Sequence, residues 1–111
     1  MSELYDVIIL GGGPAGLTAG LYAGRSRLKT LLIEKNQDGG QIALSADVEN
    51  YPGQLLEGET GVSLAARMAA QCERFGVERK RDDIQKAELS GEVKRLIGSG
   101  GTYEARTVIL A

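Results

Sequence analysis

The chain has 111 residues, enough for one small domain or for a piece of a larger one. With 13 basic against 15 acidic residues its formal charge is −2, so no basic surplus exists to neutralise a phosphate backbone, and nucleic acid is not expected as a partner. A single cysteine, Cys72, excludes an internal disulfide, a C-x-x-C redox pair and a four-ligand zinc site, and the longest early apolar run, residues 7–10, is too short for a signal peptide or a membrane span.

A reducing, cytoplasmic setting is therefore expected. Apolar residues make up 42% and charged residues 25%, the balance of a globular protein. Glycine is the outlier, with 16 residues where about 7% is usual. The glycines fall in short groups, so they mark particular backbone conformations and not a low-complexity tract.

Residues 5–10 (YDVIIL) form a β-branched apolar run that ends in glycines, the pattern of a strand buried on both faces of a parallel sheet. Residues 14–27 read as a helix. Pro14 suits its first turn, and Arg25 and Arg27 complement the negative end of its dipole. Gly16, Gly20 and Gly24 recur every four residues and give this helix one smooth side for close packing. The same spacing occurs in transmembrane pairs, but the helix is too short and its end too charged for lipid.

Residues 29–34 (KTLLIE) are a second buried strand. The irregular segment 36–58 holds Asn50-Tyr51-Pro52-Gly53, and a loop of that length is usually functional. Residues 60–75 read as a second helix with an apolar stripe of Leu64, Ala65, Met68, Ala69, Cys72 and Phe75, closed by Gly76. From Val77 the chain turns strand-like. Breaks at Ser90-Gly91 and at residues 98–101 predict an antiparallel meander of three short strands, and residues 107–110 (TVIL) one further buried strand. Ending on such a strand, at Ala111, is expected of a truncated domain. The uncovered sheet edge then predicts self-association.

Residues 11–16 (GGGPAG) match G-x-G-x-x-G. Alone that pattern is weak, because glycine-rich turns are common. Here a buried strand precedes it, a helix starts inside it, and Glu34 ends the next strand 18 positions after Gly16. In a dinucleotide site Gly11 permits the tight turn, Gly13 lets the backbone approach a pyrophosphate, and Gly16 lets the helix pack closely. The helix N-terminus offers N–H groups to the phosphates, and Glu34 accepts from a ribose diol. The bland alternative is a glycine-rich turn with Glu34 merely solvated. An acidic residue at this point disfavours NADP, whose 2′-phosphate usually meets Arg.

The fingerprint does not separate NAD from FAD. Beyond it, the sequence resembles the N-terminal part of bacterial low-molecular-weight thioredoxin reductases along its whole length. The matching stretches are YDVIILGGGPAGLTAGLYAGR, LLIEK, Gly39-Gly40-Gln41-Ile42, Val48-Glu49-Asn50-Tyr51-Pro52-Gly53 and the terminal TVILA. This resemblance implies a Rossmann-like α/β FAD-binding domain, incomplete, with a central parallel sheet and an antiparallel three-stranded meander.

It implies that Gly13, Pro14 and Ala15 cover the pyrophosphate, with Gly11 and Gly16 shaping the cofactor-binding turn, and that Glu34, with Lys35 beside it, meets the adenosine ribose. Gly40, Gln41 and Asn50 would lie along the ribitol and flavin end. Ile84 would touch the adenine through its backbone, and Ala111 would lead into a flavin loop. For Asn50 and Pro52 a plain turn is the reading that composition alone favours.

The resemblance also implies an absent NADPH domain carrying a C-x-x-C pair, so residues 1–111 hold no catalytic residue of their own. Cys72 precedes that region and is expected to be a core thiol. The complete enzyme would pass hydride from NADPH to FAD and electrons to thioredoxin or a similar disulfide protein, as a homo-oligomer away from membranes. The sequence leaves three alternatives open: a ferredoxin–NADP reductase without redox cysteines, a disulfide-reducing subunit of a peroxide-detoxifying system, and a non-catalytic nucleotide-binding module.

Overall fold

A computed structural model describes residues 3–36 and 39–111; residues 37 and 38 of the long irregular segment lie outside the described residues. The first strand, β1 (Leu4–Leu10), runs into α1 (Pro14–Arg25) and then β2 (Thr30–Glu34). A 3-10 helix, Gly40–Leu44, sits inside the long loop and was not foreseen. After it come α2 (Gly61–Arg74), β3 (Glu78–Arg81), β4 (Ile84–Glu88), β5 (Lys94–Gly98) and β6 (Thr102–Leu110). The described strands form one sheet in the order β3-β2-β1-β6-β5-β4.

β1 lies between two parallel neighbours, with Val7 opposite Thr30 of β2 and opposite Thr107 of β6. Both faces of this central strand are covered, which is why its run of apolar residues is nearly unbroken. Val7 and Ile9 join Leu17, Leu32, Ala69, Cys72 and Val77 under the helices. Ile8 joins Tyr5, Leu31, Ile33, Leu96 and Ala105 on the opposite face. The smooth side of α1 is used as expected. A Cβ at Gly20 would touch the Cys72 sulfur at 3.4 Å, and one at Gly24 would meet Val77 at 2.9 Å.

α1 stops at Arg25, two residues earlier than the charge pattern suggests, because Ser26 caps it and Arg27 takes φ +62°. A left-handed conformation at a non-glycine residue costs about 1–2 kcal/mol, so the turn into β2 holds it there. α2 starts after Thr60, not at it. The Ser63 N–H donates to Thr60 Oγ1 at 3.0 Å, and the Thr60 N–H donates to Ser63 Oγ at 2.9 Å. This reciprocal pair satisfies two donors that a helix start leaves open. Gly76, at φ +82°, follows the C-terminal end as foreseen, whereas Phe75 is largely exposed at the cap.

The meander exists, but its members differ from the expected ones. β3 pairs in parallel with β2 at the sheet edge. The antiparallel strands are β4, β5 and β6, and residues 107–110 are the second half of β6, not a separate strand. β5 pairs with β6 only as far as Ala105, while β1 pairs with it on to Leu110. The half from Thr107 onward therefore has one described strand neighbour. Ile109 and Leu110, expected to be buried, are 40% and 70% exposed for that reason.

Cys72 has no exposed surface and its thiol donates to the Leu17 carbonyl at 3.0 Å. A maleimide should label it only as fast as the core opens, and at once after denaturation. Rapid labelling of the folded chain would contradict this packing.

Candidate functional site

The turn out of β1 is shaped by contacts that leave no room for side chains. Gly11 has φ +119° and donates its N–H to the Ile33 carbonyl at 2.9 Å. A Cβ on Gly16 would lie 1.8 Å from the Gly11 carbonyl oxygen, so α1 can start this close to the turn only with glycine there. A Cβ on Gly11 would lie 2.5 Å from the Ala111 oxygen. Ala111 is itself fixed by donating its N–H to the Leu10 carbonyl at 2.9 Å. The ends of β1 and β6 thus meet at the glycine turn.

Gly13 is different. Its φ is −78°, an ordinary value, and a Cβ there would meet nothing closer than 3.7 Å. The fold itself does not require glycine at this position. Gly13 is also the N-cap of α1, with no side-chain cap and no acidic residue in the first turn. Pro14 brings no N–H, and those of Ala15 and Gly16 have no partner within the helix. The positive end of the helix dipole therefore faces out beside Gly13, with no side-chain cap and no acidic residue in the first turn of α1 among the described residues.

Glu34 ends β2 and folds back over the turn. Its Oε1 accepts the Gly12 N–H at 2.8 Å and its Oε2 accepts the Asn36 N–H at 3.1 Å. A Cβ on Gly12 would sit 3.0 Å from the Glu34 side chain. Gly12 therefore matters for its approach to Glu34, a role the G-x-G-x-x-G pattern gives no hint of, since Gly12 fills one of its free positions.

Two cavities open around this corner. One, of about 660 Å³, is lined by Lys35, Asn36, Gly40, Gln41, Leu44 and Arg81. The other, of about 260 Å³, takes in Gly11, Glu34, Lys35, Asp83 and Ile84. Gly40 backs directly onto Gly13, where a Cβ would be 3.3 Å from the Gly13 Cα, and the Gly39 N–H donates to the Gly12 carbonyl at 2.6 Å. Gly11, Gly13, Pro14, Ala15, Gly16, Glu34, Lys35, Gly40, Gln41, Ile84 and Ala111 are thus gathered at the carboxyl ends of β1, β2 and β6.

Asn50 stands apart. It is exposed on the loop before α2 and lines neither cavity. The loop is pinned to α2 instead. Glu59, 4% exposed, accepts the Leu55 N–H at 3.1 Å and pairs with Arg67 at 3.0 Å. The Ser63 hydroxyl, then the Leu55 N–H and the Arg67 guanidinium, hold its carboxyl below the usual carboxylate range.

The sequence reading missed a second buried carboxylate, Asp82, which is 8% exposed beside the smaller cavity. It accepts from the Tyr103 hydroxyl at 2.6 Å and from the Gly100 N–H at 3.0 Å. Those donors keep its carboxyl below the usual range, Tyr103 foremost. Burial, and then the hydrogen bond to the Asp82 carboxylate, pushes the Tyr103 phenol up to about 12. The adjacent acids before Ile84 were the only sequence signal.

Strand order and the position of the glycine turn put the domain in the dinucleotide-binding α/β class, where ligands lie outside the carboxyl ends of the strands. The comparisons go further. The chain belongs to the pyridine nucleotide-disulphide oxidoreductase family, which matches residues 5–111. It is 47% identical, over all 111 residues, to a thioredoxin reductase of Peptoclostridium litorale. It is also 43% identical over 109 residues to the bifunctional thioredoxin reductase/thioredoxin of Mycobacterium leprae, covering 97% of this chain and 24% of that protein.

The crystal structure of thioredoxin reductase from Streptococcus pyogenes superposes with a TM-score of 0.91 at 42% identity, over 99% of this chain. The chain spans 35% of the length of the P. litorale and S. pyogenes proteins, so it corresponds to about a third of each.

Proposed function

We propose that this chain forms the adenosine and pyrophosphate half of an FAD site in a flavoprotein that reduces protein disulfides. The observation that carries the reading is the uncapped start of α1 at Gly13, a glycine the fold does not need, with Glu34 poised beside it. A helix start with open N–H groups is the kind of place where a pyrophosphate is held. Membership of a flavin-dependent family supports FAD over NAD.

In this reading Gly13, Pro14 and Ala15 cover the pyrophosphate, and Gly11 and Gly16 shape the turn that presents them. Glu34 retains acceptor capacity for a ribose diol, since each carboxylate oxygen has lone pairs beyond the one that holds Gly12 or Asn36. Lys35 and the Ile84 backbone face the adenosine end. Gly40 and Gln41 extend the site from the pyrophosphate toward the flavin. Asn50 would have to move with its loop to join them. Ala111 closes the floor of the turn at Gly11. Bound flavin would supply two-electron redox chemistry; this chain's residues bind and orient it.

The complete activity would run from NADPH through FAD to thioredoxin or a similar disulfide protein. Relatives that are thioredoxin reductases, one of them joined to thioredoxin in a single chain, favour that acceptor over ferredoxin. A cytoplasmic setting agrees with the single cysteine. Among the described residues no helix is long and apolar enough to cross a membrane.

Mixed with FAD and freed of excess by gel filtration, the chain should emerge yellow with flavin absorbance. A colourless chain with no calorimetric signal for FAD would remove this function. A homo-oligomer is the expected assembly, through the one-sided half of β6 that exposes Ile109 and Leu110. Light scattering at high concentration should show it, and a stable monomer would count against it.

A further inference from the structure

Asp82 is one of few buried polar residues among the described residues, and the pyrophosphate reading gives it no task. Its surroundings are specific. The Asp82 N–H donates to the Glu34 carbonyl at 3.1 Å, which ties it to the residue at the ribose end. Its carboxylate collects the Tyr103 hydroxyl from β6 and the Gly100 N–H from the β5–β6 turn. The next residue takes part as well, since Ser99 donates its N–H to the Asp83 carbonyl at 3.1 Å. A Cβ at Gly98 would lie within 2.7 Å of the Asp82 carboxylate, so the turn closes around this side chain with no spare room.

The clasp reaches the site through the backbone. Asp82, Asp83 and Ile84 together line the cavity that also contains Glu34 and Gly11. β4 begins at Ile84 with an irregular register against β5, so ladder hydrogen bonds alone fix this backbone poorly. The carboxylate fixes it instead.

We propose that Asp82 and Tyr103 are positioning residues that hold the 83–84 backbone as the wall of an adenosine subsite, and so set affinity for the nucleoside end of the ligand. They act through that wall and touch no phosphate. This inference rests on the nucleotide reading of the glycine turn. Adenine presents donors and acceptors on its edge, and a backbone segment held rigidly beside it recognises them at little cost in ordering.

The test compares two probes on the 111-residue chain by calorimetry, ADP and inorganic pyrophosphate. Tyr103→Phe deletes one hydroxyl and should lower ADP affinity about tenfold while leaving pyrophosphate affinity unchanged. Asp82→Asn keeps an acceptor for Gly100 and should retain more ADP affinity than Asp82→Ala. Circular dichroism checks the fold of each.

Because Asp82→Ala can unfold the hairpin, a measurement on the unaltered chain accompanies them. ADP, but not pyrophosphate, should slow hydrogen exchange at the Gly100 and Ile84 amides. Unchanged ADP affinity in folded Tyr103→Phe, equal losses for both probes, or no ADP-specific protection would overturn the positioning role. An unaltered chain that bound neither probe would overturn the nucleotide reading itself, and this inference with it.

Discussion

Glu34→Arg should weaken FAD binding by about one to two orders of magnitude for each ribose hydrogen bond lost. Hydrogen bonds to a charged acceptor contribute about 1.5–3 kcal/mol each, and 1.4 kcal/mol is tenfold in affinity. The substitution does more than delete an acceptor. The Gly12 N–H, held at 2.8 Å by Oε1, loses its partner, and the side chain packs 3.0 Å from where a Gly12 Cβ would be. A bulky guanidinium in that space disturbs the turn that presents the pyrophosphate donors. Glu34→Gln separates the two effects, because its amide oxygen can still accept from Gly12. It should keep the turn and lose only the charge-assisted part of the ribose contact. Calorimetry with FAD on both variants, alongside thermal melts, reads the difference. Unaltered affinity in the arginine variant would strip Glu34 of its role.

The chain by itself should show no NADPH-dependent disulfide reduction, even with FAD bound. This is the largest effect expected, a loss of all turnover against a full-length relative assayed in parallel. Hydride transfer needs a nicotinamide held against the flavin, and the only dinucleotide fingerprint here is residues 11–16. Disulfide exchange needs an exposed thiolate and a resolving partner. Cys72 is the only cysteine, and it is buried between α2, the sheet and α1 with its thiol on the Leu17 carbonyl. A dithiol assay with NADPH and added FAD settles the matter. Turnover near that of the full-length relative would mean that the catalytic groups lie in these 111 residues after all.

The part of the fold that was legible in the sequence is the part built from local signals. β1, the glycine turn, α1 and β2 follow one another with their periodicity and punctuation intact, so Gly11, Gly16 and Glu34 could be placed before any coordinates. β3 was not legible as a parallel edge strand. Its residues, ERKR, are mostly exposed and carry no apolar period, and its place is set by pairing with β2 across the sheet. The single strand β6 was divided in the sequence reading because β5 pairs with it only as far as Ala105, while β1 pairs with it from Glu104 on to Leu110. The clasp at Asp82 joins residues 18 and 21 positions away, a separation that leaves no pattern along the chain. Asn50 shows the opposite difficulty. Its motif is distinctive, yet the loop around it is fastened to α2 through Glu59, and nothing local reports where that fastening points.

The pairing of β1 with β6 bears on how the chain folds. The Thr107 hydroxyl donates to the Asp6 carbonyl across 101 residues, and Leu4 sits opposite Glu104. A central strand is therefore completed by one of the most distant segments available to it. Contacts of such separation form late, because the loop entropy is lost before they can compensate for it. α1 and β2 can gather on one side of β1 early, but Gly11 meets Ala111 only once β6 has docked. The floor of the glycine turn is thus among the last places to set. A ligand that binds only the finished turn would act as a clamp on the whole sheet, and its addition should raise the midpoint of unfolding in step with its concentration.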